Sequence, residues 1–303
     1  MKPDKTLKAI TGKRRSAFTL IEIMVATVIM IVLTGLVIQI TSEVLKVWNR
    51  SSGKLSANAE ARIALDLITQ DLETAVFRNN GQQWLRVEAP VDPGGNYTSQ
   101  TVSLKLFSPA LDRPKFEADG VTDIPGDICG IAYRLAFKES YAGGDNVYAL
   151  YRFIEDPKDT FNNLMGPSTT DPDVQKSLIG GVWDETNVTS ENNYLASNII
   201  EFKILIYEDD GAANPTPVNA DADGNVSNPY YYGGSSGSSS PLLYADILLT
   251  IISDEGLELI QRVADVGPSG TGYTGSKSEA TASIVRQHGE VFTRRVNFLA
   301  RPL

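Results

Sequence analysis

The sequence predicts an α+β chain: one long N-terminal helix, its first part membrane-spanning, packed through its second part on a mainly antiparallel β-sheet domain. Three observations predict it. Residues 18–89 hold no proline, and within them an apolar run (18–40) is followed by apolar residues spaced three and four apart. Beyond Gly81 the hydrophobic period changes to two. The alternating segments are then joined by Gly, Asn and Asp rather than by helical patterns, which favours antiparallel neighbours.

The helix comes first. From Phe18 to Ile40 the polar exceptions are Thr19, Glu22, Thr27, Thr34 and Gln39. A run of roughly 20 apolar helical residues crosses a hydrocarbon core, so 18–48 reads as a transmembrane or filament helix. Lys13, Arg14 and Arg15 precede it; basic residues hold their end in the cytoplasm, which places the chain beyond residue 48 outside. Residues 49–80 read as the amphipathic half of the same helix, with Ala61, Leu65, Ile68, Leu72 and Val76 on one stripe and Arg62, Asp66, Gln70, Asp71 and Glu73 mainly off it. Asn79-Asn80-Gly81 supplies a stop, because Asn and Gly accept the left-handed conformation.

Residues 81–303 are the expected extracytoplasmic β-rich domain. Strand candidates are 84–88, 101–107 (half-buried, with Ser103 and Lys105 outward), 131–138 and 147–155, the last two joined by Gly143-Gly144-Asp145-Asn146. Residues 156–194 read as irregular, with an isolated apolar patch at 178–183. The strongest strand is 199–208. Residues 209–241, rich in Gly and Ser, are expected to be a flexible insertion. Segments 243–253 and 257–263 read as a hairpin turning at Asp254-Glu255-Gly256, 266–281 as loop, and 291–300 as the last strand. Cys129 is the only cysteine, so no intramolecular disulfide forms; between Ile128 and Ile131 it reads as a small core hydrophobe.

Lys13-Arg14-Arg15-Ser16-Ala17 followed by Phe18-Thr19-Leu20-Ile21-Glu22 closely resembles the prepilin signal of the type IV pilin superfamily. The resemblance implies that residues 1–17 are a leader, that a prepilin peptidase cuts between Ala17 and Phe18, and that Phe18 is then N-methylated. Where that family usually has Gly before the cut, this chain has Ala17. It also implies a bacterial inner-membrane location, membrane lipid around the helix, and other pilins or pseudopilins and an inner-membrane assembly platform as partners. Glu22 is then the fifth mature residue, expected to pair with the Phe18 ammonium, its own or a neighbour's, during assembly. An intramembrane carboxylate costs on the order of 2.5–3.5 kcal/mol, which by itself asks for a partner.

A finer likeness points to J-type minor pseudopilins of type II secretion. Residues 61–78 are similar to that family's helix end, the pair Tyr133-Arg134-Leu135 and Leu150-Tyr151-Arg152 to its hairpin, and segments 199–204, 244–249 and 292–296 to its late strands. The insertion after Asp210 departs from the pattern, which leaves a related pilin-like protein of a dedicated gene cassette open beside the J-type pseudopilin. Two alternatives stay open: a minor pilin of a type IV pilus or DNA-uptake filament, and a membrane-tethered binding protein that is never assembled.

Loss of the leader would take the formal charge from -10 to about -15, and an acidic chain lacks the basic face that nucleic-acid binding needs. No enzyme is expected: His288, the only histidine, reads as a loop residue, and no nucleophile elbow, phosphate loop or metal-ligand spacing is present. No cofactor is expected. Asn219, Asp221 and Asp223 with Gly224 open like a calcium loop, but the twelfth position is Tyr230, where a bidentate Glu would be needed; the reading is a solvated turn, with calcium as its alternative.

Overall fold

A computed structural model describes residues 19–298 apart from 79–81, 95–100, 111, 113–115, 117–118, 140–145, 166–177, 179–180, 213, 222–223, 235–236 and 271. The leader, Phe18, the Asn79-Asn80-Gly81 stop and the Gly143-Gly144-Asp145 turn lie outside these residues. The chain forms two compact units, Met1–Asn49 and Arg50–Leu303, with the boundary inside helix α1 (Leu20–Glu73).

The first unit, where described, is bare helix. All its side chains from Thr19 to Trp48 are exposed, and its most apolar stretch has a mean hydropathy of 2.6. Length and composition suffice to cross a membrane. Two of its polar residues are satisfied within the helix: the Thr27 and Thr34 hydroxyls donate to the carbonyls of Met24 and Met30, each at 2.8 Å. Such back-bonding lets a hydroxyl sit in apolar surroundings.

In the second unit the amphipathic part of α1 buries Ala57, Ala61, Ala64, Leu65, Ile68 and Leu72. The helix ends at Glu73, before the predicted stop. The main chain leaves it for a sheet bond, Val76 N–H to the Phe107 carbonyl at 2.9 Å, and Phe77 is buried.

Among the described residues, nine strands form two antiparallel sheets rather than one. They are β1 (Gln83–Val91), β2 (Thr101–Ser108), β3 (Cys129–Glu139), β4 (Asn146–Glu155), β5 (Tyr194–Ser197), β6 (Ile199–Glu208), β7 (Tyr230–Gly233), β8 (Leu242–Ile252) and β9 (Gly289–Asn297). The first sheet runs β5-β4-β3-β2-β1-β7 and the second β6-β8-β9. Their inner faces and α1 share one core, where Leu104, Tyr133 and Leu150 of the first sheet meet Phe202, Ile247 and Leu249 of the second. The sheets are also joined through Thr101, whose hydroxyl donates to the Phe202 carbonyl (3.1 Å) and accepts from its N–H (3.3 Å).

The outer face of the first sheet is covered, contrary to the half-buried reading of β2. All eight residues of β2 are buried, Ser103 and Lys105 included. Leu164, Leu178, Trp183 and Val188, from a segment with the short helices α2 (Pro157–Asp159) and α3 (Glu185–Val188), belong to the main core and not to an isolated patch. Trp183 meets Phe153 edge-on at 6.0 Å. Gly130 permits this layer, because a Cβ there would lie 2.8 Å from both Leu164 and Trp183 side-chain atoms. Lys105 is held by Glu88 (3.0 Å), which also accepts from Arg86 (2.7 Å). Burial lowers the Lys105 pKa, with Glu88 opposing; burial raises that of Glu88, but Lys105 and Arg86 outweigh it and leave it below the usual range.

Two further expectations are corrected. Residues 257–263 are helix, inside α4 (Asp254–Val266); Ser253 is its N-cap and accepts from the Gly256 N–H, and Leu257, Ile260 and Val263 form its buried stripe. Residues 277–281, read as loop, open α5 (Lys277–His288), which starts with a reciprocal Ser276–Glu279 capping box. The two helices pack on Tyr148, Ile200 and Ile252. His288 therefore ends a helix rather than lying in a loop.

The insertion 209–241 is also partly built into the fold. Tyr230–Gly233 is strand β7, Val226, Tyr230 and Tyr232 are buried, and Tyr232 packs edge-on against Phe77 at 5.1 Å. Buried aromatic area offsets the ordering entropy that the Gly and Ser content led one to expect would prevail.

Candidate processing and assembly site

Lys13, Arg14, Arg15, Ala17 and Phe18 lie outside the described residues. The described part of the site begins at Thr19 and centres on Glu22. One Glu22 carboxylate oxygen, Oε2, accepts from the Thr19 backbone N–H (2.8 Å) and from the Thr19 hydroxyl (2.9 Å); the Thr19 Oγ1 accepts from the Glu22 N–H at 3.4 Å. The Glu22 and Ile23 N–H groups both reach the Thr19 carbonyl, at 3.1 and 3.3 Å. This is a reciprocal capping arrangement, in which Thr19 and Glu22 satisfy donors that the first helical turn leaves without partners. The Thr-x-x-Glu spacing of this cap stands in the sequence, where the membrane-length apolar run around it masks the signal.

Chemically, the carboxylate is already turned back over the helix start, beside the amide that follows Phe18. A negative group at a helix N-terminus also complements the helix dipole. The apolar surface beyond it is open: Ile21, Val25 and Ile29 lie beside Glu22 along one side of the helix, and Ala26, Leu33 and Val37 along the next.

Of the calcium alternative, Asp223 lies outside the described residues. Asn219 is fully buried, its amide oxygen accepting from the Ile206 N–H (2.9 Å) and its amide donating to the Ile204 carbonyl (2.8 Å). It straps the outer edge of β6. The Asp221 carboxylate accepts from the Asn225 N–H at 2.8 Å. Among the described residues no group of three or more His, Cys, Asp or Glu is placed to hold a metal ion. Cys129 is buried in β3, and His288 Nδ1 lies 3.8 Å from a Glu255 carboxylate oxygen.

A second polar constellation was not foreseen. Asp71 of α1, Tyr133 of β3 and Arg152 of β4 meet in the core, with the Arg152 and Asp71 side chains 6% and 4% exposed. Arg152 Nε donates to Asp71 (2.9 Å) and to the Tyr133 oxygen (2.8 Å), Nη2 donates to the other Asp71 oxygen (3.2 Å), and the Tyr133 hydroxyl donates to Asp71. Burial, then the Asp71 charge, holds the Tyr133 hydroxyl well above its usual pKa, so it stays a donor.

Comparison with known proteins adds one finding. Residues 12–38 match the prokaryotic N-terminal methylation motif. Searches of curated proteins and of solved structures returned no match. The motif covers the basic cluster, the Ala17–Phe18 junction, Glu22 and most of the apolar run; it supports a type IV pilin-like prepilin-peptidase substrate, and it heads a helix of membrane-spanning length.

Proposed function

We propose that this chain is a minor pilin-like subunit, a pseudopilin, cut between Ala17 and Phe18, N-methylated on Phe18 and assembled into a type II secretion pseudopilus that supports protein secretion. The observation that carries the reading is the methylation motif at the head of an exposed apolar helix whose first turn holds a carboxylate. In the precursor, Glu22 caps its own helix. Once the cut frees an ammonium on Phe18, the same carboxylate has a cation one residue from its present donor. A neighbouring subunit's Phe18 ammonium at about 4 Å attracts the same carboxylate by roughly 4 kcal/mol at an effective dielectric of 20 before desolvation, and it is this pairing between subunits, rather than the one within a chain, that favours the packed register over a lone helix. The Ala17 residue is small enough to serve where the family has Gly. The β-rich unit forms the outer surface of the filament, and the J-type likeness of the hairpin and late strands supports the secretion machine over a pilus. The protein acts by assembly, as no enzyme.

The test is the intact mass of the protein from membranes of cells with and without a prepilin peptidase. A chain beginning at methylated Phe18 only when the peptidase is present supports the reading. A chain retaining Lys2 to Ala17 in both refutes processing and leaves a tethered binding protein. Co-purification with pseudopilins rather than pilus subunits then decides the machine.

A further inference from the structure

The two sheets end in four edge strands, β5 and β7 in the first and β6 and β9 in the second. Three of them are closed by the chain itself. β5 is four residues long, and its Ser197 N–H goes to a Glu60 carboxylate oxygen of α1 at 2.9 Å. On β7, Ser238 takes the Tyr231 carbonyl and the Gly233 N–H, each at 2.8 Å. On β6, the Thr101 hydroxyl meets the Phe202 N–H and carbonyl, and Asn219 takes the Ile204 carbonyl and the Ile206 N–H. The Val218 N–H then reaches the Ile206 carbonyl at 2.9 Å.

Among the described residues β9 has no such strap. Its pairing with β8 runs from Gly289 to Asn297 in one unbroken register. The ladder continues past both ends: the Phe298 N–H donates to the Leu243 carbonyl and the Ser253 N–H to the His288 carbonyl, each at 3.2 Å. Even-numbered residues of β9 therefore turn their main-chain groups to β8. Alternation turns those of Val291, Thr293, Arg295 and Asn297 to the open side, over a length of about 20 Å. Natural edges of this kind are usually guarded by free charges. Here the charges are already paired within the chain: Arg295 forks onto Asp246 (2.7 and 2.8 Å), Arg294 meets Asp66, and Glu290 meets Lys54 (3.3 Å). Val291, beside the edge, is 59% exposed.

A row of N–H and C=O groups at strand spacing is complementary to another extended main chain. An edge whose charges are paired and whose exposed side chain is Val291 suits an uncharged segment. A second copy fits this edge badly. Repeating the chain in one direction brings β9 to the edge of β6, which is closed. Pairing β9 with the β9 of a two-fold mate reverses the mate's α1, because α1 runs alongside β9, from Lys54 at Glu290 to Asp66 at Arg294. Two chains anchored in one membrane carry that helix in the same direction.

We propose that β9 is a strand-addition edge, and that an extended, uncharged segment of a different polypeptide completes the second sheet as its fourth strand. Main-chain bonds to Val291, Thr293 and Arg295 hold the segment, and an apolar side chain packed beside Val291 sets its register.

The experiment is amide hydrogen exchange of β9, followed residue by residue in the full chain in detergent micelles. The probe is acetyl-Thr-Val-Thr-Val-Thr-Val-amide, and the control is the same peptide N-methylated at every residue, which keeps the side chains and removes the N–H donors. The proposal expects the first peptide at saturation to slow exchange at Val291, Thr293 and Arg295 by at least tenfold, and the control to leave it unchanged. Thr293→Pro removes one outward N–H and no bond to β8, a position where an edge strand tolerates proline; it should keep the unfolding midpoint and lose the slowing. Val291→Lys keeps every main-chain group but places a free charge at the edge, and should weaken the peptide by at least tenfold. Equal slowing by the two peptides, no slowing in wild type, full slowing in a folded Thr293→Pro, or unchanged affinity in Val291→Lys would overturn the proposal. Slowing that grows with protein concentration alone would give the edge to a second copy and overturn it as well. None of these outcomes depends on cleavage at Ala17, so failure here and failure of the assembly reading are separable.

Discussion

Removing Asp71 is the sharpest test of how the second half of α1 is held to the first sheet. Asp71→Ala leaves the half-exposed Asp112 as the one carboxylate paired with Arg152 among the described residues, strips Nε and Nη2 of their carboxylate partner and deprives the Tyr133 hydroxyl of its acceptor. Asp112 cannot take over the inner contacts, since its side chain is half-exposed and already engaged at Nη1. Breaking a buried pair by removing one partner costs about 3–5 kcal/mol. At about 2–4 °C per kcal/mol for a large domain, the midpoint should fall by about 6–20 °C. The assay is urea and thermal unfolding of the full chain in detergent, followed by the fluorescence of the buried Trp84 and Trp183. The decisive comparison replaces the whole node, as Asp71→Leu with Tyr133→Phe and Arg152→Leu, which leaves no buried polar atom there. Apolar replacement of a complete buried ion network is often neutral, so the triple variant should regain most of the loss. The reasoning fails if Asp71→Ala costs less than about 1 kcal/mol, the range of exposed pairs, or if the triple variant is no more stable than the single one.

Four further outcomes are expected. Glu22→Ala should leave membrane insertion and cleavage intact while impairing incorporation into filaments, scored by subunit content of sheared filaments; normal incorporation would refute the assembly role. Burial, with Asp159 and Asp156 nearby, raises the Glu155 pKa to about 7. Its folded form therefore holds a proton more tightly than the unfolded chain, so this group makes the fold lose stability as pH rises from about 4.5 to about 7. Glu155→Gln should match wild type in urea midpoint near pH 4.5 and exceed it at pH 8, and a constant difference across that range would count against burial as the cause. Gly130→Ala should destabilise by about 1–3 kcal/mol through overpacking against Leu164 and Trp183, read as a lowered unfolding midpoint. Asn219→Ala uncovers the Ile206 N–H and Ile204 carbonyl at the edge of β6 and should cost about 1–3 kcal/mol; a cost that appears only with calcium present would instead favour a metal role.

The elements whose pattern is local were legible before any coordinates. An unbroken apolar run has one compatible structure in a bilayer, since a helix satisfies its own backbone, and the leader-like cluster and Phe-Thr-Leu-Ile-Glu lie together within residues 12–38. Alternation placed β1 to β4, β6, β8 and β9 within a few residues of their observed bounds. The carboxylate at Glu22 was legible for the same reason, being anomalous where it stands.

What the tertiary structure decided are the choices where local signals tie or where partners are far apart in sequence. Residues 257–263 fit a short strand or a helical turn equally, and the N-cap at Ser253 together with a buried stripe facing Ile252 and Ile200 selects the helix. Lys105 looks like an outward strand residue until a layer from beyond residue 157 covers β2. Tyr230 and Tyr232 sit in a segment whose composition argues for disorder, and only pairing with β1 and contact with Phe77 orders them. Asp71 and Arg152 are 81 positions apart. Each alone reads as a solvated charge, because the free energy that buries them exists only when the helix and the sheet have already met.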